Sequence, residues 1–249
     1  MIQKIKVGAV SYLNTKPLIY GFEQGMMSEE MELVFDFPSN IARKLLNDEI
    51  DIGLVPVAVL PAMKEYHIIG DCCIGCNGPV ASVCLFSDVP LDKIEKVLLD
   101  YQSRTSVALL KILLKEHWKI KPELIAAEKG FEQNIRGTTA GLVIGDRAFK
   151  QIPVSTYHYD LGFAWKEMTG LPFVFAAWVA NKPLTESFKT SFNNATAEGM
   201  KYIAAIAANN TCAEYNLYQY YTENISYLMD ETKQAGLKVF LQKLAQAWL

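Results

Sequence analysis

The chain has 249 residues, of which 51% are hydrophobic and 20% are charged, and its formal net charge is -3. This length is sufficient for one large domain or two ordinary ones, and we favour two. The slight negative charge argues against a nucleic-acid partner, and no run of about 18 apolar residues is present to span a membrane. We therefore expect a soluble globular protein.

The first residues of the chain and its cysteines bear on where the protein works. Residues 1–14 lead directly into a strand-like run and lack the pattern of a signal peptide, so we expect a cytoplasmic protein. Five cysteines are an odd set, which argues against a disulfide framework. The spacing of Cys73 and Cys76 suits zinc, but no second such pair or spaced histidine pair follows, so buried free thiols are favoured.

Strands and helices alternate along the chain. Short apolar runs predict strands over residues 4–10, 31–37, 51–56, 66–69, 79–86, 97–99, 123–125, 140–144 and 173–179. Helical spacing predicts helices from Pro17, Pro38, Val57, Ser106, Phe131 and Asp146, then over 185–208, 212–229 and 230–249. The last helix carries an apolar stripe of Leu237, Phe240, Leu241, Leu244 and Trp248. The alternation indicates an α/β fold with mostly parallel sheets.

The stretch 96–114 reads as a strand, a turn and a helix, with an unusual set of polar residues at the turn. Ser103, Arg104, Thr105 and Ser106 lie where the helix begins with unpaired N–H groups and the positive end of its dipole. Such a position binds a carboxylate or phosphate. An ordinary N-cap, worth about 1 kcal/mol, needs only one hydroxyl, so four such residues in a row favour a binding site.

Residues in or next to other predicted strands are further candidates for the functional site. Each of them also has a purely structural explanation. Asp146 follows a strand and begins a helix, where it is either a cap or a catalytic base. Ser82 either bonds to a neighbouring backbone group or contacts a ligand. Gly53 leaves space for a ligand or a packed helix, and packing is the commoner reason. The remaining candidates are Asn14 for catalysis and Ser11, Tyr12, Ser39 and Gly145 for substrate binding.

We predict that the chain crosses twice between two lobes, near residues 86–90 and 173–178. Lobe one then comprises residues 1–86 and 179–249, and lobe two comprises residues 87–178. A ligand is expected in the cleft between them, with Ser11 and Asn14 on one wall and 103–106 on the other.

Six segments together resemble the chorismate dehydratases of the futalosine route to menaquinone, in the MqnA/MqnD family. They are VSYLNTKPL (10–18), DIGLVP (51–56), GPVASVCLFS (78–87), LDYQSRTS (99–106), IGD (144–146) and YDLGFAWKEMTGLPFVFAAW (159–178). The likeness runs in order over about residues 7–180, while the helical tail is generic. It implies a two-lobed α/β fold of the periplasmic-binding-protein type II class.

The resemblance also implies a substrate and a reaction. The substrate is chorismate, a small dicarboxylate that loses water to give 3-[(1-carboxyvinyl)oxy]benzoate, and no metal or other cofactor is needed. Family motifs place Asn14 and Ser82 in the reaction pocket. Residues 103–106 are candidates for a carboxylate clamp, and Arg104 is either a charge partner or directed to solvent. Asp146 is the one acidic candidate for a base, and otherwise a substrate carboxylate takes the proton.

Three other functions stay open on the sequence. A solute receptor of the same fold binds a carboxylate without changing it. The sister enzyme of the pathway, which converts cyclic dehypoxanthinylfutalosine, carries a histidine near the strand end that is Ile144-Gly145-Asp146 here, so the dehydratase is favoured. A transcription-factor effector domain needs a helix-turn-helix, and no residues precede the first strand to supply one.

Overall fold

The structure is a computed structural model that describes residues 4–247, and it has an α/β fold with two sheets. Its strands are β1 (Ile5–Val10), β2 (Met31–Asp36), β3 (Ile52–Pro56), β4 (His67–Cys76), β5 (Val83–Ser87), β6 (Lys96–Leu99), β7 (Glu123–Ala126), β8 (Thr139–Ile144), β9 (Tyr157–Asp160), β10 (Phe173–Ala180) and β11 (Ser226–Leu228). Its helices are α1 (Lys16–Glu23), α2 (Pro38–Leu46), α3 (Arg104–Glu116), α4 (Asp146–Gln151), α5 (Leu161–Thr169), α6 (Glu186–Glu198), α7 (Ile203–Asn209), α8 (Leu217–Gln219) and α9 (Glu231–Ala247).

The strands form a six-stranded and a five-stranded sheet, which we call the first and second sheets. The first has the order β11-β4-β10-β3-β1-β2, and the second has the order β7-β6-β8-β5-β9. Both are mixed rather than mostly parallel. The antiparallel pairs include every pairing of β5 and of β10, the strands that follow the two crossings between sheets. Two consecutive strands that pair in parallel must be joined by a crossover connection within one lobe. A strand that enters from the other lobe has no such connection to its neighbours, so it can pair antiparallel.

The sheets correct the predicted lobe boundaries. β5 belongs to the second sheet and β10 to the first, so the chain crosses before each of these strands. The predicted boundaries at residues 86 and 178 assign β5 to lobe one and most of β10 to lobe two, whereas the sheets show the reverse. A short buried apolar run does not reveal which sheet it joins, because its pairing partners are distant in sequence. That each lobe is a separate domain stays a prediction.

Close packing of α2 on the first sheet depends on two glycines. Gly8 and Gly53 are neighbours in β1 and β3. A Cβ atom on Gly8 would lie 2.6 Å from the Ile50 side chain, and one on Gly53 would lie 3.1 Å from Ile41. The packing interpretation of Gly53 is therefore confirmed. Burial of Ile41 and Leu45 in this layer contributes about 2 kcal/mol each.

Several predicted elements differ in the structure. Residues 79–82 form a turn rather than a strand, because Ala81 has a positive φ of 61°. The segment 57–62 is a 3-10 helix with Pro61 inside it. The predicted helix 212–229 is instead α8, a π-helical turn over 220–224 and the strand β11. In the predicted stripe of the last helix, Trp248 lies outside the described residues.

The cysteines are free thiols, as predicted. The four between residues 72 and 84 are buried, and Cys212 is partly exposed. Residues 4–247 contain no group of three or more His, Cys, Asp or Glu arranged to hold a metal ion. Over the same range, none of the helices combines the length and apolar character needed to cross a membrane.

We expect the native protein to expose one reactive thiol. Burial raises the pKa of Cys73 to about 12, so this group stays protonated and unreactive at pH 8. The pKa of Cys212 is also raised by burial, but this side chain is partly exposed. A chromogenic disulfide reagent should therefore titrate Cys212 before the other four in the native state, and all five cysteines after unfolding in guanidinium. Rapid reaction of several thiols in the native protein would contradict this burial.

Candidate active site

A cavity lies between the two sheets. The space inside it is about 530 Å³ when the open solvent at its mouth is included. Its apolar wall includes Leu54 of β3, Ile74 of β4 and Phe175 of β10. Its polar lining is formed by Tyr12, Asn14, Ser82, Ser103 and Ser106. Among the described residues that line it there is no lysine, arginine, aspartate or glutamate. A bound anion would therefore depend on hydroxyls, amides and backbone N–H groups.

The cavity brings together about half of the predicted site residues. Those that line it are Tyr12, Asn14, Ser82, Ser103, Ser106 and Gly145. Those that do not are Ser11, Ser39, Arg104, Thr105 and Asp146. Whether the lining residues contact a substrate stays a prediction.

The start of α3 explains why only part of the predicted clamp faces the cavity. Residues three apart share a helix face, so Ser103 and Ser106 line the cavity together, while Arg104 turns outward and is exposed. Ser103 is the N-cap, and its Oγ accepts the Ser106 N–H at 3.1 Å. The capping interpretation is thus correct for Ser103, and the expected charge contact of Arg104 in the cavity is not formed. Ser11 is likewise exposed and Ser39 half-buried.

Thr105 and Asp146 contact backbone groups of the first lobe instead of the cavity. Thr105 Oγ1 accepts the Ala58 N–H at 3.1 Å, and the Asp146 carboxylate accepts the Leu13 N–H at 3.2 Å. Burial raises the pKa of Asp146. Both side chains therefore join the two lobes on either side of the cavity, and the assignment of Asp146 as a base that meets the substrate is not supported by its position.

An ion-pair network behind Tyr12 makes a third connection between the lobes. The Tyr12 hydroxyl donates to Gln102 Oε1, which also accepts from Arg147 at 2.9 Å. Arg147 forms ion pairs with Asp100 at 2.6 Å and Glu132 at 2.7 Å. Burial raises the pKa of the Tyr12 hydroxyl, so it remains a neutral donor. The sequence analysis did not identify Arg147 as a site residue, although it directly follows the candidate Asp146.

A hydrogen-bonded turn presents Ser82 to the cavity. The Asp160 carboxylate accepts the Val80 N–H at 2.9 Å and the Ala81 N–H at 2.7 Å. This holds Ala81 in its left-handed conformation, and the Ser82 N–H then donates to the Val80 carbonyl at 2.7 Å. The Ser82 carbonyl accepts the Gly145 N–H at 2.8 Å. The turn is therefore anchored to the ends of β8 and β9.

Two tyrosines of the C-terminal segment complete the site. The Tyr220 hydroxyl donates to Ser82 Oγ at 2.7 Å. The Tyr227 hydroxyl donates to the backbone carbonyl of Asn14 at 3.0 Å. Both tyrosines are buried. Sequence analysis treated this segment as generic helix, and these contacts could not be found from local spacing because the partners are 138 and 213 residues apart.

We expect Gly145 to tolerate no side chain. Its φ is 63° and its ψ is -150°, a conformation almost confined to glycine, and an added Cβ would lie 3.2 Å from the Tyr12 ring. Gly145→Ala should lower the free energy of unfolding by about 1–3 kcal/mol and reduce turnover. Gly170→Ala is the control, because this left-handed helix cap has open space around it and lies away from the cavity.

Urea unfolding measures the stability of both variants, and an assay with chorismate, the substrate that the sequence resemblance predicts, measures their turnover. Gly170→Ala should lose about 1 kcal/mol of stability with turnover intact. Equal turnover in both variants would contradict a close approach of Tyr12 to Gly145 in the working site.

Two α/β lobes with a cavity between their sheets define a protein of the periplasmic-binding-protein fold class. Protein AF1704 from Archaeoglobus fulgidus superposes with a TM-score of 0.71 at 16% identity, covering 98% of this chain and 97% of that one. A Candida albicans protein, CA3427, described as having the generic periplasmic binding protein fold, gives a TM-score of 0.63 at 12% identity over 98% and 91% of the two chains. Such low identities establish the fold alone.

The family follows from sequence comparison. The chain belongs to the menaquinone biosynthesis family, whose model matches residues 5–246. The chorismate dehydratase of Thermus thermophilus is 29% identical, over 96% of this chain and 94% of the relative. The chorismate dehydratase of Campylobacter jejuni is 27% identical, over 94% and 95%. The predicted family and fold class are confirmed, and the match extends through the tail that carries Tyr220 and Tyr227.

Proposed function

We propose that the protein is a chorismate dehydratase, a lyase that removes water from chorismate to give 3-[(1-carboxyvinyl)oxy]benzoate. The observation that carries the proposal is that Asn14 and Ser82 meet at one cavity beside the start of α3. Family membership and the names of the two relatives support it. A solute receptor and the sister enzyme are the alternatives, and neither is favoured by these comparisons. The cytoplasmic location and the need for no cofactor stay predictions.

The substrate is a dianion, and the cavity has no cationic side chain in its described lining. We assign one carboxylate to the start of α3, with the Ser103 and Ser106 hydroxyls beside it. The N–H groups of Arg104 and Thr105 begin this helix, where no earlier turn supplies their carbonyl partners. The aligned peptide dipoles add about half a positive charge at this end. The apolar wall around Leu54 and Phe175 accommodates the ring.

The reaction needs a proton acceptor and help for the departing hydroxyl. The ring carbon bearing the enolpyruvyl ether loses its proton, and the neighbouring carbon loses hydroxide. The electrons of the C–H bond become the third double bond of the aromatic ring, and proton and hydroxide leave as water. Because aromatisation makes the elimination strongly downhill, the protein has mainly to hold chorismate in a reactive conformer and away from water.

No carboxylate side chain lines the described part of the cavity, and Asp146 is engaged with the Leu13 N–H. We therefore assign the proton acceptor to a carboxylate of the substrate itself. The Asn14 amide and the Ser82 hydroxyl orient the leaving hydroxyl and stabilise the charge that develops on the substrate.

The direct test is incubation of the purified protein with chorismate, followed by mass spectrometry and ultraviolet spectroscopy. A dehydratase gives an aromatic product lighter by one water. A receptor binds chorismate and leaves its spectrum unchanged. The sister enzyme leaves chorismate intact and converts cyclic dehypoxanthinylfutalosine. Heat-denatured protein controls for the slow spontaneous reactions of chorismate.

A further inference from the structure

Tyr220 is the buried group in closest contact with a proposed catalytic side chain. Its hydroxyl donates to Ser82 Oγ at 2.7 Å, and both side chains are almost completely buried. The ring is held by edge-to-face contacts with Phe149 at 4.9 Å and Tyr215 at 6.2 Å between centroids. These contacts fix the phenol oxygen in position. The hydroxyl is therefore placed to act on Ser82 rather than on the substrate, since Tyr220 does not line the cavity.

The phenol is the more acidic of the two hydroxyls, so it is assigned as the donor, and this direction decides what Ser82 offers the substrate. A serine hydroxyl has one proton and two lone pairs. When its oxygen accepts from Tyr220, its own proton is free to be donated elsewhere, and Ser82 lines the cavity. Burial raises the pKa of Tyr220, so the phenol keeps its proton at every working pH. Hydrogen bonds in such a chain also strengthen one another.

We propose that Tyr220 is a positioning residue that directs the Ser82 hydroxyl proton into the cavity, toward the hydroxyl that leaves chorismate. The inference rests on the proposed dehydratase function and goes beyond it by giving the C-terminal segment a part in turnover. The π-helical turn over 220–224 serves this purpose, because it brings the phenol from the tail of the chain to a turn that lies between β4 and β5.

The neighbouring residue supplies a matched control. Tyr221 is also buried in the same turn, and its hydroxyl has no hydrogen-bond partner among the described residues. Tyr221→Phe therefore removes the same atom from the same turn without removing a hydrogen bond. We expect wild-type turnover and equal or higher stability for this variant.

The experiment compares Tyr220→Phe and Tyr221→Phe for kcat and KM on chorismate, each in the wild-type and the Ser82→Ala background. Tyr220→Phe should lower kcat about tenfold or more, with KM nearly unchanged, and Tyr221→Phe should not. In the Ser82→Ala background, Tyr220→Phe should have little further effect, because the group it directs is gone. Urea unfolding of each variant verifies that the fold is retained.

Two outcomes would overturn the inference. One is an unchanged kcat in Tyr220→Phe, and the other is a reduction of kcat by the same factor in the wild-type and Ser82→Ala backgrounds. If Tyr220→Phe does not fold, Tyr220→Leu provides the second variant, because it removes the hydroxyl without adding bulk to the packed site. Its kcat should fall in the wild-type background but not with Ser82→Ala. An inactive wild-type protein would contradict the proposed function itself, and is distinguished by the chorismate assay before any variant is made.

Discussion

Replacing Asn14 by alanine is expected to lower kcat on chorismate by about 10²–10³-fold, with KM changed by less than about threefold. The Asn14 amide lines the cavity, and its backbone carbonyl is fixed by Tyr227. A donor aimed at charge that develops only during elimination contributes to the transition state and little to binding of the ground state.

Steady-state kinetics with chorismate checks this split. Asn209→Ala is the control, because Asn209 is exposed on α7 and does not line the cavity. Equal losses in kcat and in affinity for Asn14→Ala would mean that the amide serves binding alone, and would remove the proposed role.

Replacing Asp160 by alanine is expected to lower the free energy of unfolding by about 3–5 kcal/mol and to abolish most turnover. The Asp160 carboxylate accepts N–H groups of Val80, Ala81 and Phe163, and the first two hold the turn that carries Ser82. Alanine leaves all three donors without this acceptor, and those of Val80 and Ala81 are partly buried, so water replaces it poorly. Asp160→Asn keeps one acceptor oxygen, so its stability and turnover should lie between those of the wild type and those of Asp160→Ala.

Urea unfolding measures the stability, and the chorismate assay measures the effect on Ser82. Asp92→Ala is the matched control, since the Asp92 side chain is 69% exposed and should cost less than about 0.5 kcal/mol. An Asp160→Ala variant with wild-type stability and turnover would show that the turn does not depend on this carboxylate.

Local sequence patterns predicted the parts of the site that local structure determines. The junction of an apolar run and a helical period limited the N-cap of α3 to Ser103 or Thr105, and the structure has Ser103. The proline at position 17 marks the first turn of α1. The packing interpretation of Gly53 rested on its being the commoner reason for a glycine inside an apolar run, and the structure has Gly53 in a fully buried strand.

Contacts between distant segments were beyond such patterns. Asp160 and Ala81 are 79 residues apart, and Tyr220 and Ser82 are 138 residues apart. The three-residue strand β11 is too short to show a period, and the sheet joined by β5 or β10 depends on tertiary pairing. Of the two alternatives for Arg104, the structure has the solvent-facing one, because helix geometry turns this side chain away from the face of Ser103 and Ser106.

The central claim is that one cavity between the two sheets performs the chemistry. The most direct measurement is a crystal structure of the protein soaked with 3-[(1-carboxyvinyl)oxy]benzoate, the aromatic product. The account predicts the product between the sheets, with Asn14 and Ser82 within hydrogen-bond distance and a carboxylate at the start of α3. Product bound elsewhere, with this cavity empty, would contradict it.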